Sequence, residues 1–245
     1  LDPGALALGA GGADRFGSLG SIAGAAFSSE DTSVAGAELA VGFQHGGLSG
    51  EIGTSPLGFE LETVLGALRY EARLGGLGLA FEGSRRAVTD SLTSWSGVRD
   101  PGTNRVWGGV VRQGGRAELS FEAGQALYYA YGGGFHLGGR NVADNAHWLA
   151  GLGADWRLVN DASETTSLGI GGLGMGYERN LSQFSLGHGG YFSPQLFLRA
   201  GVPFRWRASR GDFRWRLRID PGINWFRVDE EDWFPSDPDL QAARE

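Results

Sequence analysis

The chain of 245 residues contains no cysteine and no lysine. Without cysteine there is neither a disulfide framework nor a thiolate metal site. All 21 basic residues are arginine, which a GC-rich genome accounts for first, although guanidinium forks, always charged and of fixed geometry, also suit a polar channel wall. A net charge of −7 argues against a general nucleic-acid binder, so no nucleic-acid partner is expected. No stretch approaches the roughly 18 apolar residues of a membrane-spanning helix, and the mean hydropathy is −0.18. That value does not exclude a membrane protein, because barrel strands alternate lipid-facing apolar with lumen-facing polar residues and average near zero. An initial methionine and a signal peptide are also missing, and the last residues, 240–245, form a polar tail without an aromatic-ended closing strand. The expectation is one domain over 1–245, truncated at both ends.

Glycine, by contrast, is abundant, with 44 residues and no collagen period, and 11% of the chain is aromatic. Many strands joined by tight turns account for both. The clearest strand pattern runs from Gln195 to Ile219. Leu196, Leu198, Ala200, Val202, Phe204 and Trp206 alternate with a mostly polar set, and after a turn Phe213, Trp215, Leu217 and Ile219 alternate with Arg214, Arg216, Arg218 and Asp220. With Arg210-Gly211 as a two-residue loop, Arg207 is expected opposite Arg214, Trp206 opposite Trp215, Arg205 opposite Arg216 and Phe204 opposite Leu217. One face is then apolar, and the other carries like charges across the ladder, which demands water or acidic partners.

The same alternation runs through 146–158, 35–44, 116–122 and 77–84, with weaker strands near 48–53, 61–72, 126–131 and 166–176. About ten or eleven strands are expected. Short turns fall at His45-Gly46, Leu74-Gly75, Ala123-Gly124, 160–164 and Arg210-Gly211. Longer loops are expected at 55–59, 87–115, 133–145, 177–194 and after Val228. Alternation of short and long connections is the pattern of an outer-membrane barrel. The fold class is therefore all-β, a transmembrane antiparallel β-barrel.

Three stretches go beyond periodicity. They are Ile52-Gly53-Thr54-Ser55-Pro56-Leu57-Gly58-Phe59; the segment 85–116, with Arg85-Arg86-Ala87-Val88-Thr89-Asp90, Arg99-Asp100-Pro101-Gly102 and Trp107-Gly108-Gly109-Val110-Val111-Arg112; and Gly187-His188-Gly189-Gly190-Tyr191-Phe192-Ser193-Pro194-Gln195. Together with Leu1-Asp2-Pro3-Gly4-Ala5-Leu6 as a first strand and Phe234-Pro235-Ser236-Asp237-Pro238 as a late loop, they resemble the C-terminal barrel domain of cellulose synthase operon protein C. The resemblance spans nearly the whole chain. It implies a sixteen-stranded outer-membrane pore, fed by periplasmic tetratricopeptide repeats absent here, that conducts a β-1,4-glucan from an inner-membrane synthase. The implied partners are the cellulose chain, that synthase complex through the missing repeats, and outer-membrane lipid.

No cofactor is expected for passive conduction. His45, His136, His147 and His188 show no metal-ligand spacing, and no signature joins His188, Ser193 and Asp90 into a triad, so no catalytic or metal residues are assigned. The lumen candidates are Arg199, Arg205, Arg207, Arg214, Arg216, Arg218, Asp155, Arg157, Glu118 and Glu122, with support of the wall as their plainer role. Trp148, Trp156, Trp206 and Trp215 are expected to face lipid, several of them in an interfacial girdle. Loop or gate candidates are Asp90, Trp95, Arg99, Asp100, Trp107, Arg112, His188, Tyr191, Phe192 and Gln195. Of these, Asp100-Pro101-Gly102 is first of all a turn. Trp95 and Trp107 suit either sugar stacking or loop packing. Rival readings are a pore for an anionic polysaccharide such as alginate, a barrel enzyme acting on lipid, and a surface adhesin.

Overall fold

The computed structural model describes residues 16–18 and 34–244. The expected first strand at Leu1–Leu6 lies outside them. The described residues form one antiparallel sheet of thirteen segments: β1 (Ala40–His45), β2 (Leu48–Thr54), β3 (Val64–Leu74), β4 (Leu77–Ala87), β5 (Val98–Arg99), β6 (Val106–Ala123), β7 (Ala126–Arg140), β8 (Val142–Asn160), β9 (Glu164–Tyr177), β10 (Leu196–Gly201), β11 (Phe204–Arg210), β12 (Phe213–Ile219) and β13 (Gly222–Arg227). Two short helices, α1 (Leu92–Ser96) and α2 (Pro238–Arg244), lie in connections. Setting aside β5, which pairs only with β6, the segments pair in sequence order as far as β9, which pairs with both β10 and β11. Strand β10 then pairs with β13 and β11 with β12, and among the described residues the sheet is open, with β1 at one side and β12 and β13 at the other.

Thirteen segments are fewer true strands. Gly201 pairs with Gly222 and Phe204 with Ile219 in one unbroken register, so β10 continues into β11 and β12 into β13. Each break falls at a proline, Pro203 or Pro221, which has no N–H to give the ladder. The expected single strand from Gln195 to Arg207 is thus interrupted midway. Merging these two pairs and setting aside the two-residue spur β5 leaves ten strands.

The hairpin register differs from expectation by two residues. Arg207 pairs with Arg216, Trp206 with Leu217, Arg205 with Arg218 and Phe204 with Ile219, because Arg210 and Phe213 close the ladder around Gly211-Asp212. Gly211 has φ 58°, and only the first loop residue takes a positive φ, as a type II′ turn requires. The expected Arg210-Gly211 loop would have put glycine second. The turns at Gly46-Gly47, Gly75-Gly76 and Gly124-Gln125 repeat this arrangement, so three other expected loops also move by one residue. A slip of two leaves every side chain on its own face.

Two expected loops are largely strand. Val106–Gly115 belongs to β6, and the stretch 133–145 continues β7 and β8 to a single turning residue, Asn141, at φ 51°. The glycines there are ladder residues, Gly133 opposite Leu149 and Gly134 opposite Trp148. Strands β6, β7, β8 and β9 run 18, 15, 19 and 14 residues, longer than the roughly 9 to 11 that cross a bilayer. They rise past the apolar band on the side opposite the short turns.

The two faces are chemically distinct. Leu119, Phe121, Phe81, Tyr128, Trp148, Leu152, Trp156, Trp215 and Leu217 are exposed on one, with no covering layer. Trp148 and Trp156 are eight residues apart on β8, about 26 Å at strand rise, which suits the two aromatic girdles of an apolar band. Polar outer-face contacts, such as Arg85 to Gln113 at 2.6 Å and His136 to Asp144 at 3.5 Å, occur above that band. The only hydrophobic cluster found among the described residues is at the long-loop end.

Candidate functional site: a charged wall beneath a packed mouth

The register places all ten lumen candidates on the face opposite the apolar one. One ladder row carries Arg157, Ser167, Arg205 and Arg218, another Glu118, Tyr131, Gly151, Leu173 and Arg199. Several pair: Arg205 with Asp155 at 2.9 Å, Arg157 with Glu122 at 2.8 Å and Arg199 with Asp220 at 3.0 Å. The candidate Glu118 meets Arg116 at 3.0 Å, and outside the set Arg69 meets Glu71 and Glu82. Among the described residues Arg207, Arg214, Arg216 and Arg218 have no carboxylate partner. The like-charge oppositions Arg205–Arg218 and Arg207–Arg216 therefore require water over this face.

Above the wall, residues 178–195 fold onto the same polar face. Asn145 of β8 accepts from Arg179 N at 2.9 Å and donates to Arg179 O and to the Tyr191 hydroxyl. Below it an aromatic column crosses three strands. Phe135 stacks on His147 at 5.6 Å, His147 on Tyr177 at 4.3 Å, and Tyr177 meets Tyr191 at 6.0 Å. Burial raises the Tyr191 pKa and keeps its hydroxyl protonated. Leu181, Leu186 and Tyr191 then pack with Trp107, Val110, Leu137 and Phe234 into the hydrophobic cluster.

Polar contacts lock this loop to its neighbours. Arg179 forms a two-pronged pair with Glu231, its Nη2 at 2.8 Å and Nε at 3.2 Å. His188 contacts the Asp232 carbonyl at 2.8 Å, and Phe192 N donates to Asp90 at 3.1 Å. Asp100 accepts from Ser18 N and Oγ at 2.7 and 2.6 Å and from Thr103 N and Oγ1. Burial works to raise its pKa, but the hydrogen bonds from Ser18 and Thr103 together hold it below the usual range.

Of the gate candidates, Asp90, Asp100, Trp107, His188, Tyr191, Phe192 and Gln195 gather in or beside this assembly. Trp107 is fully buried against Phe16 at 5.1 Å, so it packs loops and offers no face to a sugar. Trp95 lies edge-on to Phe59 and Arg99 pairs with Glu60, on the flank. Arg112 is a β6 residue, over the Phe135 ring at 4.9 Å. Gln195 accepts from Asp229 N at 2.7 Å. The sequence reading missed Asn145, Tyr177 and Arg179, whose roles depend on partners far along the chain.

A sheet with one bare apolar face and one charged face, strand lengths that span a bilayer, and loops folded over the polar side define a transmembrane-type β-barrel protein. The family model described as cellulose synthase operon protein C C-terminus matches residues 1–245, and the chain belongs to that family. It is 38% identical to cellulose synthase operon protein C of Pseudomonas fluorescens over 85% of this chain, and 36% identical to that of Xanthomonas axonopodis pv. citri over 88%. The Escherichia coli K12 protein is 34% identical over 74%. The matches cover 17, 14 and 16% of those relatives, so this chain represents a small part of their length. Among solved structures, OmpT, an outer membrane protein of Vibrio cholerae, aligns with a TM-score of 0.45 and 9% identity, over 76% of this chain and 53% of that one.

Proposed function

We propose that this domain is wall and mouth of an outer-membrane pore through which cellulose leaves the cell. One observation carries the reading: loop 178–195 packs over the same face that holds the charged residues, so that face borders a passage with a narrowed end. The apolar face meets lipid, and the short turns point to the periplasm. The family supplies the polymer. Conduction needs no bond to be made or broken here. Polymerisation upstream provides the thrust, and the wall offers many weak, exchangeable contacts to glucan hydroxyls. In the full-length protein, periplasmic repeats would link the pore to the inner-membrane synthase.

A second reading, export of an anionic polysaccharide, is favoured by the four lumen candidates Arg207, Arg214, Arg216 and Arg218, which have no carboxylate partner among the described residues, and the polymer recovered from cells decides between the two. Deleting the gene is expected to abolish extracellular cellulose while synthase activity persists in isolated inner membranes. Unchanged secretion in the deletion strain rejects the reading.

A further inference from the structure

Partway along the polar face the wall holds a hollow of about 260 Å³ whose rim includes Tyr129, Tyr131, Arg199, Arg205, Arg218 and Asp220. The two tyrosine rings are parallel to within 6° with centroids 6.5 Å apart. They lean across the sheet over their ladder partners, Tyr129 over Gly153 and Tyr131 over Gly151. A Cβ on Gly151 would come within 2.4 Å of the Tyr131 ring and one on Gly153 within 2.5 Å of the Tyr129 hydroxyl, so these glycines let the rings lie close to the wall. Arg116 covers one face of Tyr131 at 4.1 Å, whereas no cation is found over Tyr129 among the described residues. Around the hollow, Arg205–Asp155 and Arg199–Asp220 are matched ion pairs.

On the pore reading above, we propose that this hollow is a saccharide subsite, built to hold one pyranose unit of a passing neutral glucan. Pyranoses present apolar C–H faces to an aromatic ring and paired hydroxyls to carboxylate and guanidinium edges. Both kinds of partner converge here. Two of the three rim arginines, Arg199 and Arg205, already have carboxylates, and Arg218 is left to donate to a sugar hydroxyl. Tyr129 supplies the ring, Arg199, Arg205 and Arg218 the donors, and Asp220 the acceptor.

The test uses purified full-length protein in detergent, with folding checked by heat-modifiable migration and cellohexaose titrated by calorimetry. Tyr129→Ala is expected to weaken cellohexaose binding about ten-fold, the scale of one aromatic contact, while Tyr129→Phe, which keeps the ring, stays near wild type. Equal binding by wild type and Tyr129→Ala overturns the subsite, as does absence of wild-type binding. Tighter binding of oligomannuronate than of cellohexaose overturns its assignment to a neutral glucan. Cellulose export by the complemented deletion strain is read separately. Export without oligosaccharide binding rejects the subsite and leaves the pore standing, and secretion independent of the gene rejects the pore.

Discussion

Asn145 donates its side-chain amide to the Tyr191 hydroxyl across 3.1 Å while the same side chain brackets both backbone groups of Arg179. A strand residue thus provides loop 178–195 with a short stretch of ladder. Asn145→Ala leaves the buried Tyr191 hydroxyl and the two part-buried backbone groups of Arg179 without these partners, at a cost of about 1–3 kcal/mol for the buried hydroxyl. The expected outcome is a looser mouth, read as greater sensitivity of cells to large hydrophilic antibiotics and faster proteolysis within 178–195. Unaltered permeability and cleavage would show that the loop is held elsewhere.

Acid is expected to loosen the same loop. His188 is 1% exposed, and burial pushes its pKa below 6.5; the Asp232 carbonyl and Glu231 offset this only in part, and Arg179 adds to the lowering. An opened loop exposes an imidazole that protonates near the ordinary value, so the open state binds more protons. The closed loop therefore has its full stability above about pH 6.5 and loses it as pH falls toward the depressed value. Proteolysis of 178–195 should be faster at about pH 5 than at about pH 8, and His188→Gln should flatten the difference.

Asp100 acts in a lower window. Its folded pKa lies below 3.8, so the stability it lends the mouth is present above that value and fades as pH falls through the folded one. Asp100→Asn should abolish this fading and loosen the contact at neutral pH. Hydrogen exchange at the Ser18 and Thr103 amides would report both effects, and slow exchange at those amides in the variant would refute the assignment.

Arg216 and Leu217 are adjacent yet belong to opposite faces. Arg216→Gln removes a like charge opposite Arg207 and is expected to leave assembly intact. Leu217→Arg places a charge on the apolar face, at about 2–4 kcal/mol near the bilayer midplane, and should reduce the heat-modifiable fraction. Cysteines at the two positions separate the faces directly: in intact membranes position 216 should react with a water-soluble thiol reagent and position 217 should not. The reverse labelling would exchange inside and outside.

The faces were legible from sequence because period-two alternation survives a two-residue slip, which is why Trp206 and Leu217 share a face although their pairing was expected elsewhere. Turn positions were not, since the side of a two-residue loop on which glycine falls depends on the twist of the flanking strands. The stretch 133–145 read as loop because glycine is the commonest turn residue, yet here its glycines are ladder residues in long strands. The mouth was legible only as isolated motifs. Asp100 finds Ser18 across 82 residues of sequence, and Tyr177 finds His147 only through the pairing of β8 with β9. No local pattern encodes such partners.

Pro203 and Pro221 bear on the mechanics of the wall. At their row neither strand has its full set of N–H donors, and the stitching that remains includes Val202 N to Pro221 O at 2.9 Å and Gly169 N to Pro203 O at 2.8 Å. The register continues through the row, so the sheet is creased there without being cut. Two prolines leave fewer ladder hydrogen bonds along that line, and the crease runs beside Arg199, Arg205 and Asp220. On the pore reading, a wider occupant would be accommodated first at this crease, where the ladder is thinnest.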